Sequence, residues 1–136
     1  MIFTGDFSTL FTKLPHAVVK AQLYKLIELC FKNCGKNYIN VTSDKVVYCK
    51  DLCASNLVGG YAFVRGQLNE LLDFVLENTY VLFASNAFRQ VSGVPMGGNA
   101  SPLIADLTLT MLEFEYVKSN KHVNWLAARF VDDVVV

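Results

Sequence analysis

Charge is scarce in this chain and nowhere concentrated. Lys, Arg, Asp and Glu make up 18% of the 136 residues, twelve basic residues balance twelve acidic ones, and the net charge is zero. Without a basic patch or stripe the composition carries no electrostatic footprint for nucleic acid, so any such binding has to arise from a localised site. Long apolar runs are missing too: no stretch of eighteen uninterrupted apolar residues occurs, which argues against a membrane span. The opening Met1-Ile2-Phe3-Thr4-Gly5-Asp6 lacks the basic and apolar regions of a secretion signal. No internal repeat, linker or low-complexity segment interrupts the sequence. Its length suits one domain at most, with room for a real core.

What is abundant is apolar surface. Hydrophobic residues make up 53% of the chain, apolar for a free-standing soluble domain, and Val136 stands two or three residues into an expected strand. The expectation is therefore a piece of a larger polypeptide whose other segments cover this surface. Four cysteines form two Cys-x3-Cys pairs, Cys30/Cys34 and Cys49/Cys53, fifteen residues apart. That invites a zinc reading. The knuckle spacing and turn glycines of a zinc ribbon are missing, however, and Cys30 and Cys34 fall on an expected helix among apolar neighbours, where free Cys is a common small core residue. Buried or half-buried thiols are the default, and without a secretion signal disulfides are not expected.

Along the chain, Met1 to Phe7 reads as a strand that delivers Asp6 to its end, and Thr12-Lys13-Leu14 as a connector. Pro15 suits a first helical position. Val18, Ala21, Leu26, Leu29, Cys30 and Cys34 recur near helical period over 16–34, and Gly35 makes a left-handed stop. Tyr38 to Val41 and Val46 to Tyr48 form a hairpin, followed by a short strand around Tyr61 to Val64. Gln67 to Asn78 is a helix. Tyr80 to Ala84 and Ala87 to Gln90 form a second hairpin across Ser85-Asn86. After the glycine-rich 93–99, Ser101 caps and Pro102 opens a helix to about Lys118, with Leu103, Leu107, Met111 and Phe114 inward. Val123 to Val131 and Val134 to Val136 flank an Asp132-Asp133 turn.

That acidic doublet is oddly placed. Two like charges about 4 Å apart repel by roughly 1 kcal/mol in bulk water and roughly 4 kcal/mol at an effective dielectric near 20. Flanked by Phe130-Val131 and Val134-Val135-Val136, the pair should bind either a proton or a cation, and a divalent metal needs a further carboxylate. Asp6, in Asp6-Phe7-Ser8-Thr9-Leu10-Phe11-Thr12, offers one. Between them lies Phe88-Arg89-Gln90-Val91-Ser92-Gly93-Val94-Pro95-Met96-Gly97-Gly98-Asn99-Ala100-Ser101-Pro102-Leu103, where glycines let backbone approach a ligand and the helix start presents free amides. Each segment alone reads blandly, as a surface Asp, a long turn and a hairpin turn. Their order and spacing carry the signal.

Taken together they resemble the palm of reverse transcriptases, over nearly the whole chain. Asp6 to Phe11 is similar to the first palm motif, Gly93 to Pro102 to the second, and Phe130 to Asp133 to the aromatic-x-Asp-Asp box. Asp6 through His16 and Gly93-Val94-Pro95-Met96-Gly97 look most like Penelope-type and related non-LTR retroelement enzymes. Two departures stand out. Many relatives place Gln where Met96 stands, although Met occurs in the Penelope-like group, and Gly98-Asn99-Ala100 replaces a more usual Ser-Pro-Leu.

The resemblance implies an α+β palm: an antiparallel sheet carrying both acidic sites, with helices 16–34 and 101–118 on one face. The domain is expected to span 1–136 and to be partial, with fingers and thumb elsewhere in the same polypeptide and the piece inactive alone. It implies RNA-directed DNA polymerisation with an RNA template, a DNA primer and dNTPs as partners. Asp6 and Asp132 would hold two Mg²⁺ ions (Mn²⁺ being an acceptable substitute), with the Phe7 carbonyl as an extra ligand and Asp133 as a weaker or outer one. Gly93, Pro95, Met96, Gly97 and Gly98 would border the nucleotide, and Arg89 or Gln90 the strand backbone. His16 and His122 read as ordinary surface residues. A retroelement enzyme is expected inside the cell, the nucleus included.

Two rivals remain. A viral RNA-dependent RNA polymerase palm usually has a second Asp four or five residues after the first and Gly before its Asp-Asp pair, where this chain has Leu10, Phe11 and Val131. A non-catalytic remnant, or an interaction module held by the cysteines, belongs to another class. The resemblance also places Phe11 under the incoming sugar, where an aromatic leaves no room for a 2′-hydroxyl. In the intact enzyme, Phe11→Ala is expected to raise ribonucleotide incorporation relative to deoxynucleotide; an unchanged ratio removes that role.

Overall fold

The computed structural model describes residues 4–6, 9–51, 60–95, 97–121, 128–130 and 133–135. Helices and antiparallel sheets are mixed, an α+β fold. The chain divides into two compact units, one of Met1–Leu23 with Leu76–Val136 and the other of Tyr24–Val75. Among the described residues no helix is long and apolar enough to cross a membrane.

The first unit is built on a three-stranded antiparallel sheet in the order β1 (Thr4–Asp6), β8 (Asp133–Val135), β7 (Ala128–Phe130). Arg129 on β7 reaches α4 (Ser101–Ser119), so that helix lies against the sheet. Leu10, Leu14, Val19, Leu23, Leu76, Val94, Ile104, Ala105, Leu109 and Met111 are buried here. The N-terminal turns of α2 (His16–Cys34) belong to this unit, where Gln22 donates to Glu115 of α4 at 3.1 Å. A hairpin of β5 (Tyr80–Phe83) and β6 (Asn86–Arg89) completes it.

The second unit holds a separate sheet in the order β3 (Val46–Cys49), β2 (Tyr38–Val41), β4 (Tyr61–Phe63), with the remainder of α2 and most of α3 (Arg65–Glu77). Phe31 of α2 is buried and meets Tyr48 of β3 edge to face, ring centroids 6.1 Å apart. Tyr24 donates to the Asp73 carboxylate and so ties α2 to α3. Partial burial, with Cys30 and Cys34 nearby, raises the Tyr48 phenol above its ordinary pKa. Cys30 and Cys49 are half-buried and Cys34 is exposed, while Cys53 lies outside the described residues.

Most expected elements are present, and four local readings change. Residues Leu10–Lys13 form a helical turn, α1, in place of a connector: Lys13 and Thr12 both return N–H bonds to the Thr9 carbonyl. Ser101 is not the cap of α4. The cap is Ala100, without a side-chain bond, and Ser101 is the first helical residue, 2% exposed. The inward face of α4 comprises Ser101, Ile104, Ala105, Thr108, Leu109 and Met111, while Leu103 and Phe114 are 59% and 52% exposed. Because α4 is apolar around most of its circumference, periodicity does not select a face. Packing favours the small Ser101, Ala105 and Thr108, and the Thr108 hydroxyl is satisfied by the Ile104 carbonyl at 2.6 Å.

The fourth change is in the β5–β6 turn, which lies one residue earlier than Ser85-Asn86. Phe83 pairs with Asn86, leaving Ala84 and Ser85 as the central residues, with φ of 47° and 67°. Positive φ at both positions marks the hairpin turn whose twist matches that of its strands, for which Asn-Gly is the preferred pair. Left-handed backbone costs an L residue roughly 1–2 kcal/mol. The double substitution Ala84→Asn/Ser85→Gly is therefore expected to stabilise the protein by about 1–2 kcal/mol in denaturant unfolding, with ordinary hairpin registry retained.

Candidate functional site

Strand β1 runs antiparallel to β8 with Thr4 opposite Val135, Gly5 opposite Val134 and Asp6 opposite Asp133. On its other side β8 pairs with β7, placing Phe130 opposite Asp133 and Arg129 opposite Val134. One cross-strand row therefore reads Asp6, Asp133, Phe130, and the next reads Gly5, Val134, Arg129. Asp133 is thus the first residue of a strand paired on both sides, not part of a turn. Ladder bonds to both neighbours extend β8 back through it. Asp132 and the Phe7 carbonyl lie outside the described residues.

Directly opposed residues of an antiparallel pair have Cβ atoms roughly 4.5–5.5 Å apart, and like charges there are destabilising. Carboxylates offer oxygen donors, suited to a hard divalent cation rather than a soft one. Among the described residues no group of three or more His, Cys, Asp or Glu gathers at metal-binding distance. A third carboxylate would have to come from Asp132.

The glycine loop is fastened to the segment after β1 by its backbone. Val94 N–H donates to the Phe11 carbonyl at 2.7 Å and Gly93 N–H to the Leu14 carbonyl at 2.8 Å. A Cβ on Gly93 would stand 2.4 Å from the Phe11 oxygen and 2.7 Å from that of Thr12, and its φ is +77°. Only glycine fits this approach. His16, expected as an ordinary surface residue, is half-buried, and its Nε2 hydrogen-bonds the Gly93 carbonyl at 2.7 Å. Gly98 N–H then closes a turn onto the Pro95 carbonyl at 3.2 Å, with Gly97 at φ +90°. The Gly98 carbonyl accepts from Ser101 N–H at 3.1 Å, leading directly into α4.

The structure thus brings Phe11, Gly93, Pro95, Gly97 and Gly98 into one backbone-linked cluster, with Phe11 half-buried on α1. Met96 lies outside the described residues. Arg89 is exposed at the end of β6, opposite Tyr80. Gln90 is half-buried, its side-chain amide donating to the Ser92 carbonyl at 2.9 Å.

Arg129 went unnoticed in the sequence. Its side chain is only 7% exposed and forks onto α4, donating to Asp106 Oδ1 at 2.8 Å, to Thr110 Oγ1 at 3.0 Å and to both Glu113 carboxylate oxygens. Burial works against the guanidinium charge, but the hydrogen bonds it donates to Glu113 and then to Asp106 outweigh it and raise the pKa above its ordinary value. The available signal was weak: Asp106, Thr110 and Glu113 share one side of α4 at helical spacing.

No protein-family model matches this sequence, and no curated protein matches it. Among solved structures, it is similar to a telomerase from Candida albicans in complex with the TWJ fragment of telomeric RNA, with 17% identity and a TM-score of 0.64. The likeness is one of fold. It covers 98% of this chain and 22% of the telomerase chain, so the shared frame is a fraction of that protein.

Gly93→Ala is expected to destabilise the protein by more than about 2 kcal/mol in denaturant unfolding, since both the close approach and the positive φ are lost. Gly66→Ala, with open space around its Cβ on α3, is expected instead to be neutral or stabilising by up to about 1 kcal/mol.

Proposed function

We propose that this chain is part of the palm of an RNA-directed DNA polymerase of the retroelement type, extending a primer 3′-hydroxyl with dNTPs. The single observation that carries the reading is the β1–β8 register, in which Asp6 and Asp133 stand opposite each other on neighbouring strands. Asp132 immediately precedes this pair in sequence. The fold shared with a telomerase, a reverse-transcriptase-related enzyme solved with RNA, agrees with an RNA-handling polymerase frame.

In this reading Asp6 and Asp132 are the principal metal ligands, the Phe7 carbonyl supplies a further oxygen, and Asp133 is a weaker or outer ligand. Bound there, two Mg²⁺ ions would lower the pKa of the primer 3′-hydroxyl and neutralise the triphosphate and departing pyrophosphate during in-line attack. The protein need supply no nucleophile. Phe11 borders the incoming sugar, and the glycine loop at 93–98, fastened to α1, borders the base pair being formed. Arg89 and Gln90 belong to the strand-backbone side. The Penelope-type assignment rests on the sequence resemblance.

The test is primer extension on an RNA template by the intact polypeptide that contains this chain. Asp6→Asn and Asp132→Asn are each expected to lower extension by about 10²–10³-fold, Asp133→Asn by less, and chelation of divalent cations to abolish it. Undiminished extension by Asp6→Asn would refute the polymerase site.

A further inference from the structure

The Arg129 cluster has a charge balance and a location that point to a specific task. One guanidinium faces two carboxylates, Asp106 and Glu113, with Thr110 as a neutral acceptor between them. The guanidinium is thus engaged by these partners on α4. Its contribution is geometric. The three partners on α4 occupy positions i, i+4 and i+7, one face of a helix, and the planar guanidinium bridges that face as a rigid fork.

The location follows from the ladder. Arg129 and Asp133 stand in adjacent cross-strand rows, and successive rows of a pleated sheet present opposite faces. Arg129 thus grips the helix behind the sheet while Asp133 stands on the other side. Phe130, next after Arg129, is the direct ladder partner of Asp133, which is itself the partner of Asp6. One residue along β7 and two ladder steps separate Arg129 from Asp6.

We propose that Arg129 is a positioning residue for divalent-cation binding: by fixing β7 against Asp106, Thr110 and Glu113 of α4, it sets β8 at the height that holds Asp133 opposite Asp6. This rests on the polymerase-site reading above. Residues that orient metal ligands from behind typically change metal affinity about 10–100-fold when removed.

The experiment is titration of the full chain with Mn²⁺ alone, followed by electron paramagnetic resonance and by calorimetry, so that no catalytic readout is needed. Removing only the arginine would leave Asp106 and Glu113 without the cation they share, so a charge-neutral triple variant, Arg129→Met/Asp106→Asn/Glu113→Gln, is the main probe; replacing a whole ion cluster by apolar and neutral groups is often tolerated in stability. It is expected to keep the wild-type unfolding midpoint and to bind Mn²⁺ about 10-fold more weakly. Arg129→Lys, which keeps the charge and loses the fork, is expected to weaken binding in the same direction. Wild-type affinity in the triple variant overturns the positioning role and leaves the polymerase reading standing. Wild-type affinity in Arg129→Lys alone makes charge, not fork geometry, the determinant and overturns the proposal as stated. If the unaltered chain binds no Mn²⁺ while Asp6→Asn gives the same blank titration, the site reading itself fails, and this inference with it.

Discussion

The antiparallel ladder between β1 and β8 joins a residue near the start of the sequence to one near its close, and the remainder of the site depends on its register. A one-residue slip in a strand pairing moves every side chain to the opposite face. With three residues in each strand, the ladder offers few bonds with which to resist one. What holds the register must come from outside the ladder. Pairing of β8 on both sides supplies part of it, and the fastening of β7 to α4 through Arg129 supplies another part.

The second constraint is the backbone clasp between the 93–94 segment and α1. Two short N–H···O bonds and the His16 contact join segments that are far apart in sequence. A clasp of this kind depends on the absence of a Cβ at Gly93. Through α1 it places the loop close to the residues that follow β1, and through the Pro95–Gly98 turn it fixes where α4 begins. The acidic row and the glycine loop are therefore positioned by separate devices, a side-chain fork for one and a main-chain clasp for the other.

Much of this was legible in the residues. Two adjacent aspartates amid Phe and Val, a strand-end Asp far upstream and a glycine loop before Ser-Pro carried a resemblance that implied an α+β fold with acidic residues meeting across strands, and the register does bring Asp6 and Asp133 opposite each other. Gly35 ends α2 with φ of +59° as expected, since a left-handed stop is a local property. The misreadings concern matters that local pattern does not encode. The buried face of α4 depends on which small residues a neighbour can approach, and a helix apolar on most sides gives no moment to read. The turn at Ala84-Ser85 is set by strand pairing, which overrode the turn preference of Asn86. His16 looked like a surface residue and Arg129 drew no reading because their partners, a carbonyl in one case and a helix stripe in the other, lie distant in sequence.

Why a buried arginine, rather than a leucine, should join β7 to α4 is a question of uniqueness more than of stability. Replacing a buried ion cluster with apolar residues is often neutral or stabilising, so cohesion alone does not require Arg129. An apolar contact, however, tolerates sliding: a side chain moved by one residue still finds greasy surface. A guanidinium that is 7% exposed does not have that freedom. If β7 slipped by one position, Arg129 would turn to the other face of the sheet, lose all three partners on α4, and leave Asp106 and Glu113 facing each other without a cation. Breaking a buried pair by removing one partner costs about 3–5 kcal/mol. Asp106 and Glu113 are each 46% exposed, so water would soften that penalty. The penalty is tied to register, and it acts on the strand whose neighbour carries Asp133.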